Sequence, residues 1–129
     1  MVQILKKNIL IVDDDKNICH LLSEVLVGTF PGLKIMLAHD GADGLWKLRN
    51  QKFDLLIVDI KMPKKNGLEL IEYVRKNEKD DEETSAIILI SGFLDKHSIS
   101  EAVKLKVKNI LQKPFTNERF VDMVRGIIG

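Results

Sequence analysis

The stretch NILIVDDD, residues 8–15, decides how the rest of this chain is interpreted. After Asn8 it is apolar and rich in β-branched side chains, and it then ends abruptly in three consecutive aspartates. An apolar run without polar alternation is typical of a strand covered on both faces, as in a parallel sheet. The aspartates would then lie at the carboxyl end of that strand, where open α/β sheets bind their ligands.

Further apolar runs occur at regular intervals, and segments with the 3.6-residue period of helices separate them. The helical period is clearest in 18–26 and 120–128 and weaker in 42–46, 70–74 and 99–103. The predicted strands are Asn8–Val12, Leu33–Ala38, Phe53–Val58, Ala86–Ile90 and Lys108–Leu111. A five-fold alternation of strand and helix predicts an α/β fold with a parallel sheet.

Three local features complete this interpretation. Asn66 and Gly67 are predicted to form a turn before the third helix. The acidic stretch Asp80–Glu83 is expected to be a solvated loop before the fourth strand. Trp46, with Leu45 and Leu48, is expected to pack within its helix rather than to bind a cofactor, because no Gly-rich phosphate loop accompanies it.

Composition limits the classes of function. A chain of 129 residues with 45% hydrophobic content fits one domain, residues 1–129, with no effector domain. Its 20 basic and 19 acidic residues give a net charge of +1, which predicts no direct nucleic-acid binding and no attraction to membranes. A lone cysteine, Cys19, and the lack of a signal peptide or an apolar stretch of about 20 residues indicate a soluble, cytoplasmic protein.

Polar groups suited to phosphate and metal follow the ends of four of the predicted strands within two residues. They are Asp13 and Asp14 after the first, Asp59 after the third, Ser91 after the fourth and Lys113 after the fifth. Carboxylates brought close together repel one another, and a hard divalent cation relieves that conflict. Because no His or Cys stands at these strand ends, the oxygen ligands favour Mg²⁺, with Mn²⁺ as an acceptable substitute.

In this order, these motifs resemble the response-regulator receiver family over nearly the whole chain. The matching segments are residues 9–15, 58–63 with Asn66 and Gly67, 90–92 and 113–115. The resemblance implies a flavodoxin-like, doubly wound (βα)5 fold whose five parallel strands lie in the order 2-1-3-4-5. It also implies a function in two-component signalling.

The resemblance assigns a phosphoacceptor and a metal site. Asp59 is similar to the family's phosphorylated aspartate. Asp13 and Asp14 match the acidic pair that holds Mg²⁺, with Asp59 and the backbone carbonyl of Lys61 as further ligands. Asp15 matches a common third acidic residue, which we expect to cap the first helix.

The resemblance also assigns the groups that bind the phosphoryl oxygens. Ser91 matches the family's hydroxyl position and Lys113 its lysine, while Pro114 resembles a cis proline that aims this lysine. The expected phosphodonor is a sensor histidine kinase or a phosphotransfer protein. The expected output is binding of a downstream protein, or of an output domain outside this chain, through the surface of helix 4, strand 5 and helix 5, without multiple-turnover catalysis.

Some positions depart from the family pattern. Ile110 replaces the usual aromatic residue, so we expect no switching by an aromatic ring, and Lys106 and Lys108 make the adjoining surface basic. We expect those lysines to be solvated, although an acidic partner would also fit them. Lys61 and Phe93 lie two residues after Asp59 and Ser91, where they could slow the water that hydrolyses an acyl phosphate.

Three alternative functions remain open at this point. A metal-dependent phosphohydrolase would use Asp59 as a transient nucleophile and would turn over phosphate esters. A flavodoxin-type redox carrier would need a hydroxyl- and Gly-rich phosphate loop where this chain has three aspartates. A receiver-like module could bind partners without being phosphorylated.

Overall fold

The computed structural model describes residues 6–61, 66–78 and 85–129. Within these ranges, strands and helices alternate along the chain. The strands are β1 (Asn8–Val12), β2 (Lys34–Ala38), β3 (Leu55–Asp59), β4 (Ala86–Ser91) and β5 (Asn109–Gln112). The helices are α1 (Lys16–Thr29), α2 (Gly41–Asn50), α3 (Gly67–Lys76), α4 (Lys96–Lys104) and α5 (Asn117–Ile128).

The strands form one parallel sheet in the order β2-β1-β3-β4-β5, so the predicted flavodoxin-like topology is confirmed. The strand limits differ from the prediction by no more than two residues. β3 begins at Leu55 rather than Phe53, and β3 and β4 extend to include Asp59 and Ser91. Two of the predicted site residues are therefore the last residues of their strands.

Helices cover both faces of the sheet. One face packs against α1 and α5 around the fully buried Phe120, and the other packs against α2, α3 and α4 around Leu70 and Ile71. β1 and β3 are buried on both sides, which explains why their sequences are continuously apolar. The two cores hold the carboxyl ends of the central strands in register.

The expected packing of Trp46 is wrong, because its side chain is 62% exposed. α2 approaches the core through Gly44, where a Cβ would lie 3.2 Å from Leu70 and from Val12. Two residues along a helix correspond to about 200°, so Trp46 points away from the side that makes this approach. Leu45 lies nearer that side and packs against the core.

The start of the third helix agrees with the sequence in position but not in detail. Asn66 is the N-cap of α3, accepting a hydrogen bond from the Glu69 N–H in a capping box, and Gly67 is the first helical residue. The predicted loop Asp80–Glu83 and residues Met62 and Pro63 of the matching segment 58–63 lie outside the described residues. Among the residues that the structure does describe, no helix is long and apolar enough to cross a membrane.

Gly67 is the glycine whose lack of a side chain matters most for the site. A Cβ there would clash with the backbone carbonyl oxygen of Asp59. We expect Gly67→Ala to lower the free energy of unfolding by about 2 kcal/mol or more. Gly126→Ala in α5, where nothing lies within 4 Å, should instead be neutral or raise it by roughly 0.5–1 kcal/mol. Urea denaturation of both variants checks this, and equal effects would contradict it.

Candidate functional site

The carboxyl ends of β1 and β3 bring three aspartates together, as the sequence predicts. One carboxylate oxygen from each of Asp13, Asp14 and Asp59 lies within 4.8 Å of the others. Asp13 and Asp59 are buried, at 2% and 7% exposure, whereas Asp14 is exposed. The cluster is therefore a pocket with two buried carboxylates at its base and one at its rim.

Lys113 is the cation that faces these buried carboxylates. Its Nζ lies 3.0 Å from Asp59 Oδ2 and 3.5 Å from Asp13 Oδ2. Its backbone N–H donates to the Ser91 carbonyl at 2.8 Å, and the Lys113–Pro114 peptide bond is cis, as the family resemblance implies. Lys113 thus joins the fifth strand to the third and first.

Burial and mutual repulsion of the carboxylates compete with the attraction of Lys113 in this pocket. Burial raises the pKa of Asp13 from 3.8 to about 6, against the hydrogen bond that the Asp15 N–H donates to its Oδ1 at 2.9 Å. Repulsion by Asp59 and Asp14 raises this pKa further, while Lys113 lowers it. Burial opposes the charge of Lys113 too, but its hydrogen bond to Asp59 and the field of Asp13 outweigh this, and its pKa is raised.

Neighbouring backbone groups orient the aspartates. Asp15 caps α1, as expected, and its side chain accepts hydrogen bonds from the N–H groups of Asn17 and Ile18. The Lys61 N–H donates to Asp59 Oδ1 at 3.3 Å, so the backbone of Lys61 borders the pocket. The thiol of Cys19 contacts the Asp13 carbonyl oxygen at 3.3 Å. It lies in the core, as expected of a packing residue.

Ser91 is buried at the end of β4, but its hydroxyl is engaged by the loop after that strand. Its Oγ donates to the Phe93 carbonyl oxygen at 2.6 Å and accepts from the Phe93 N–H at 3.1 Å. No feature of the sequence indicates this local pairing. The hydroxyl therefore links the pocket to the loop that leads into α4.

Lys61 and Phe93 lie together at the surface of the site. Lys61 Nζ is 5.9 Å from the centroid of the Phe93 ring, which is a cation–π distance, and Phe93 is 64% exposed. The sequence places each residue near the pocket but does not predict their contact. Ile110 of β5 is half-buried and packs against the core on the α4 side of the sheet.

The donor set of the pocket suits a hard divalent cation. Three carboxylates supply only oxygen ligands, which Mg²⁺ and Mn²⁺ prefer. The raised pKa of Asp13 indicates that proton and metal would compete for its carboxylate. Asp13, Asp14 and Asp59 are thus the described residues that fit a metal ion.

A doubly wound parallel sheet with an acidic pocket at its carboxyl edge defines a class of phosphate- and metal-binding α/β domains. A family model described as the response regulator receiver domain matches residues 9–125. The chain therefore belongs to the response regulator receiver domain family of two-component systems. Receiver domains are signalling modules rather than multiple-turnover enzymes, and they bind Mg²⁺ at an acidic pocket.

Individual relatives agree with this family. The chain is 32% identical over 120 residues to the transcriptional regulatory protein CpxR of Escherichia coli, covering 93% of this chain and 48% of CpxR. It is 34% identical over 125 residues to a probable chemotaxis protein CheY of Rhizobium etli, covering 96% of this chain and 94% of that protein. It thus spans about half of CpxR and nearly all of that CheY.

Solved structures match the whole fold. A CheY-like receiver domain protein from Methanospirillum hungatei superposes with a TM-score of 0.83 at 26% identity, covering 93% of this chain and 91% of that one. The chemotaxis regulator CheY4 of Vibrio cholerae gives a TM-score of 0.82 at 25% identity, covering 94% and 98%. The similarity therefore extends from sequence motifs to the complete arrangement of strands and helices.

The pKa of Asp13 leads to a prediction on stability. Because this pKa is about 6 in the folded chain and 3.8 ordinarily, the folded state holds the proton more tightly than the unfolded state. Ionised Asp13 therefore costs roughly 3 kcal/mol of folding free energy above pH 6, and the cost disappears as the pH falls through 3.8. Without divalent cations, Asp13→Asn should be more stable than the wild type near neutral pH and gain little near pH 4.

Urea unfolding with a chelator at the two pH values measures this difference, with the exposed Asp54→Asn as the control. Added Mg²⁺ should raise the melting temperature of the wild type at neutral pH and that of Asp13→Asn much less. Equal stability of wild type and Asp13→Asn at both pH values would contradict the prediction.

Proposed function

We propose that this domain accepts a phosphoryl group on Asp59 from a histidine kinase or phosphotransfer protein, with Mg²⁺ held by Asp13, Asp14, Asp59 and the Lys61 carbonyl. One observation carries the proposal. The buried Asp59 carboxylate lies within 4.8 Å of two further carboxylates and 3.0 Å from the ammonium of Lys113. A nucleophile, a metal-binding set and a counter-charge for phosphoryl oxygens are thereby gathered at one strand end.

The reaction needs little from the protein beyond alignment and charge neutralisation. A carboxylate oxygen of Asp59 attacks phosphorus, the phosphorus–nitrogen bond of the phosphohistidine donor breaks, and its electron pair leaves with the imidazole. A Mg²⁺ ion held by Asp13, Asp14, Asp59 and the Lys61 carbonyl would supply positive charge against the charge that develops on the phosphoryl oxygens. Lys113, already beside Asp59, pairs with one of these oxygens, and Ser91 donates a hydrogen bond to another.

Phosphorylation then changes which partner Ser91 uses. The new group adds a charge of roughly −1.5 to −2 and three strong acceptors. A hydroxyl that turns toward it must release the Phe93 carbonyl, and the loop before α4 is freed to move. Because Ile110 has no aromatic ring to reorient, we assign the switch to this loop and to the surface of α4, β5 and α5 that a partner binds.

The rival functions can be distinguished from this proposal. A flavin phosphate would meet three carboxylates at the end of β1 and β3. A module that is never phosphorylated would take up no phosphoryl group from a donor. A phosphohydrolase differs in turning over phosphate esters in the steady state.

The same proposal includes a downstream partner protein or an output domain and a cytoplasmic location. It also includes the lack of direct binding to DNA or membranes.

Acetyl phosphate with Mg²⁺ tests the chemistry directly. We expect one phosphoryl group per chain, mapped to Asp59, and complete loss of labelling in Asp59→Asn without loss of the fold. Asp54→Asn, an exposed carboxylate just before the same strand, is the matched control and should label normally. Intact mass measurement and site mapping decide it, and full labelling of Asp59→Asn would overturn the choice of acceptor.

Lys61 and Phe93 lead to a prediction on the lifetime of the phosphorylated state. Their contact places a bulky ring and an ammonium beside the pocket, where they should hinder an in-line water. We expect Phe93→Glu and Lys61→Asn each to speed dephosphorylation by roughly threefold or more at fixed Mg²⁺. Val27→Glu, at a similarly exposed apolar position on α1, should not change the rate. Unchanged or slower hydrolysis in both site variants would end the idea.

A further inference from the structure

Arg75, near the end of α3, bonds to Glu78 just after its own helix and to two segments further along the chain. Its Nε donates to the Leu105 carbonyl at 2.7 Å, and its Nη1 donates to the Ser85 carbonyl and to Glu78 Oε1, both at 2.9 Å. Glu78 Oε1 also accepts from the Ser85 N–H at 2.7 Å. The Arg75 side chain is only 12% exposed, so these bonds are well shielded from water.

The contact with Leu105 holds the C-terminal end of α4. Leu105 is the C-cap of that helix, where carbonyl groups lack partners within the helix and the helix dipole is negative. A planar guanidinium supplies both the missing donor and the opposite charge. Just beyond, Lys106 has φ 59, so the chain turns sharply toward β5 at this fixed point.

The N-terminal end of α4 is attached differently. Asp95 caps the helix by accepting from the Ser98 N–H at 2.7 Å, which is a contact within the helix itself. The described hydrogen bonds that connect the preceding loop to the sheet are those between Ser91 and Phe93. One end of α4 is therefore held by a charged group from another helix and the other by a neutral hydroxyl beside the phosphorylation site.

We propose that Arg75 is a positioning residue that fixes the C-terminal end of α4, so that α4 pivots about that end when the Ser91 loop moves. This inference rests on the proposed function, because phosphorylation of Asp59 supplies the movement. Arg75 touches none of the reacting groups. The displacement should be largest around Lys96 and the exposed Ile99 and smallest at Leu105, so a partner that distinguishes the two states would contact the N-terminal half of α4.

Hydrogen exchange before phosphorylation tests the clamp, by which we mean the hold of Arg75 on the C-terminal end of α4. The proteins compared are the wild type, Arg75→Met, Arg75→Lys and Arg119→Met. The informative amides are those of Leu105, Lys106 and Val107, which bond to carbonyls of α4. In Arg75→Met they should exchange about tenfold faster, while amides of α1 and α5 change less than about twofold. Arg75→Lys should recover part of the protection, because it keeps the charge but not the planar fork.

Arg119→Met, an exposed arginine of α5, is the matched control and should leave α4 unchanged. Uniformly faster exchange in α1, α4 and α5 of Arg75→Met would overturn the assignment, because Arg75 would then stabilise the whole fold. Unchanged exchange of the three α4 amides would overturn it as well.

The same measurement during incubation with acetyl phosphate and Mg²⁺ tests the pivot. In the wild type the change in exchange should be confined to residues 93–99, whereas in Arg75→Met it should reach 105–107. Equal changes at both ends of α4 in the wild type would refute the pivot. If intact mass shows no phosphorylation of the wild type, the proposed function fails, yet the comparison before phosphorylation still decides the clamp.

Discussion

The ammonium of Lys113 lies between two buried carboxylates, and the balance of charge at this edge of the sheet depends on it. It is 3.0 Å from Asp59 and 3.5 Å from Asp13. Three carboxylates and one ammonium leave two net negative charges when all are ionised, the charge that one divalent cation cancels. The proposed phosphoryl group on Asp59 would add roughly −1.5 to −2 more, and a lysine that is already in place could pair with it without reorganising the sheet.

Such a cluster of like charges persists because the packing of the fold holds the strands that carry it in place. β1 and β3 are enclosed by two separate cores, so neither strand can slip to separate its aspartates. The first residue of α3, Gly67, packs directly against the Asp59 carbonyl and donates its N–H to Ile60 at 2.9 Å. The pKa of Asp13 is about 6, so keeping its carboxylate ionised near neutral pH costs folding free energy. Apolar packing of the rest of the fold offsets this cost.

Features set by hydrophobic period and by position along the strands can be predicted from the sequence, whereas tertiary contacts cannot. The order of strands is implied by the family motifs, and Asp13, Asp59 and Lys113 are predictable because parallel strands present their carboxyl ends at one edge. The exposure of Trp46 is not, because it depends on the close approach of α2 through Gly44. Arg75 likewise resembles any basic residue in the last turn of a helix, and its bond to Leu105 spans thirty residues.

Ser91 shows why a switch built on this pocket would be finely balanced. Its backbone carbonyl is held by the Lys113 N–H at 2.8 Å, so the hydroxyl can turn without moving the strand. Turning toward a phosphoryl oxygen gives one charge-assisted bond of roughly 1.5–3 kcal/mol and gives up two neutral bonds to Phe93 of about 1 kcal/mol each. In a phosphorylated domain this difference would be close to thermal energy, so both positions of the loop would be populated. A partner that binds only one of them would therefore shift the equilibrium substantially, and by linkage it would also stabilise the corresponding state of Asp59.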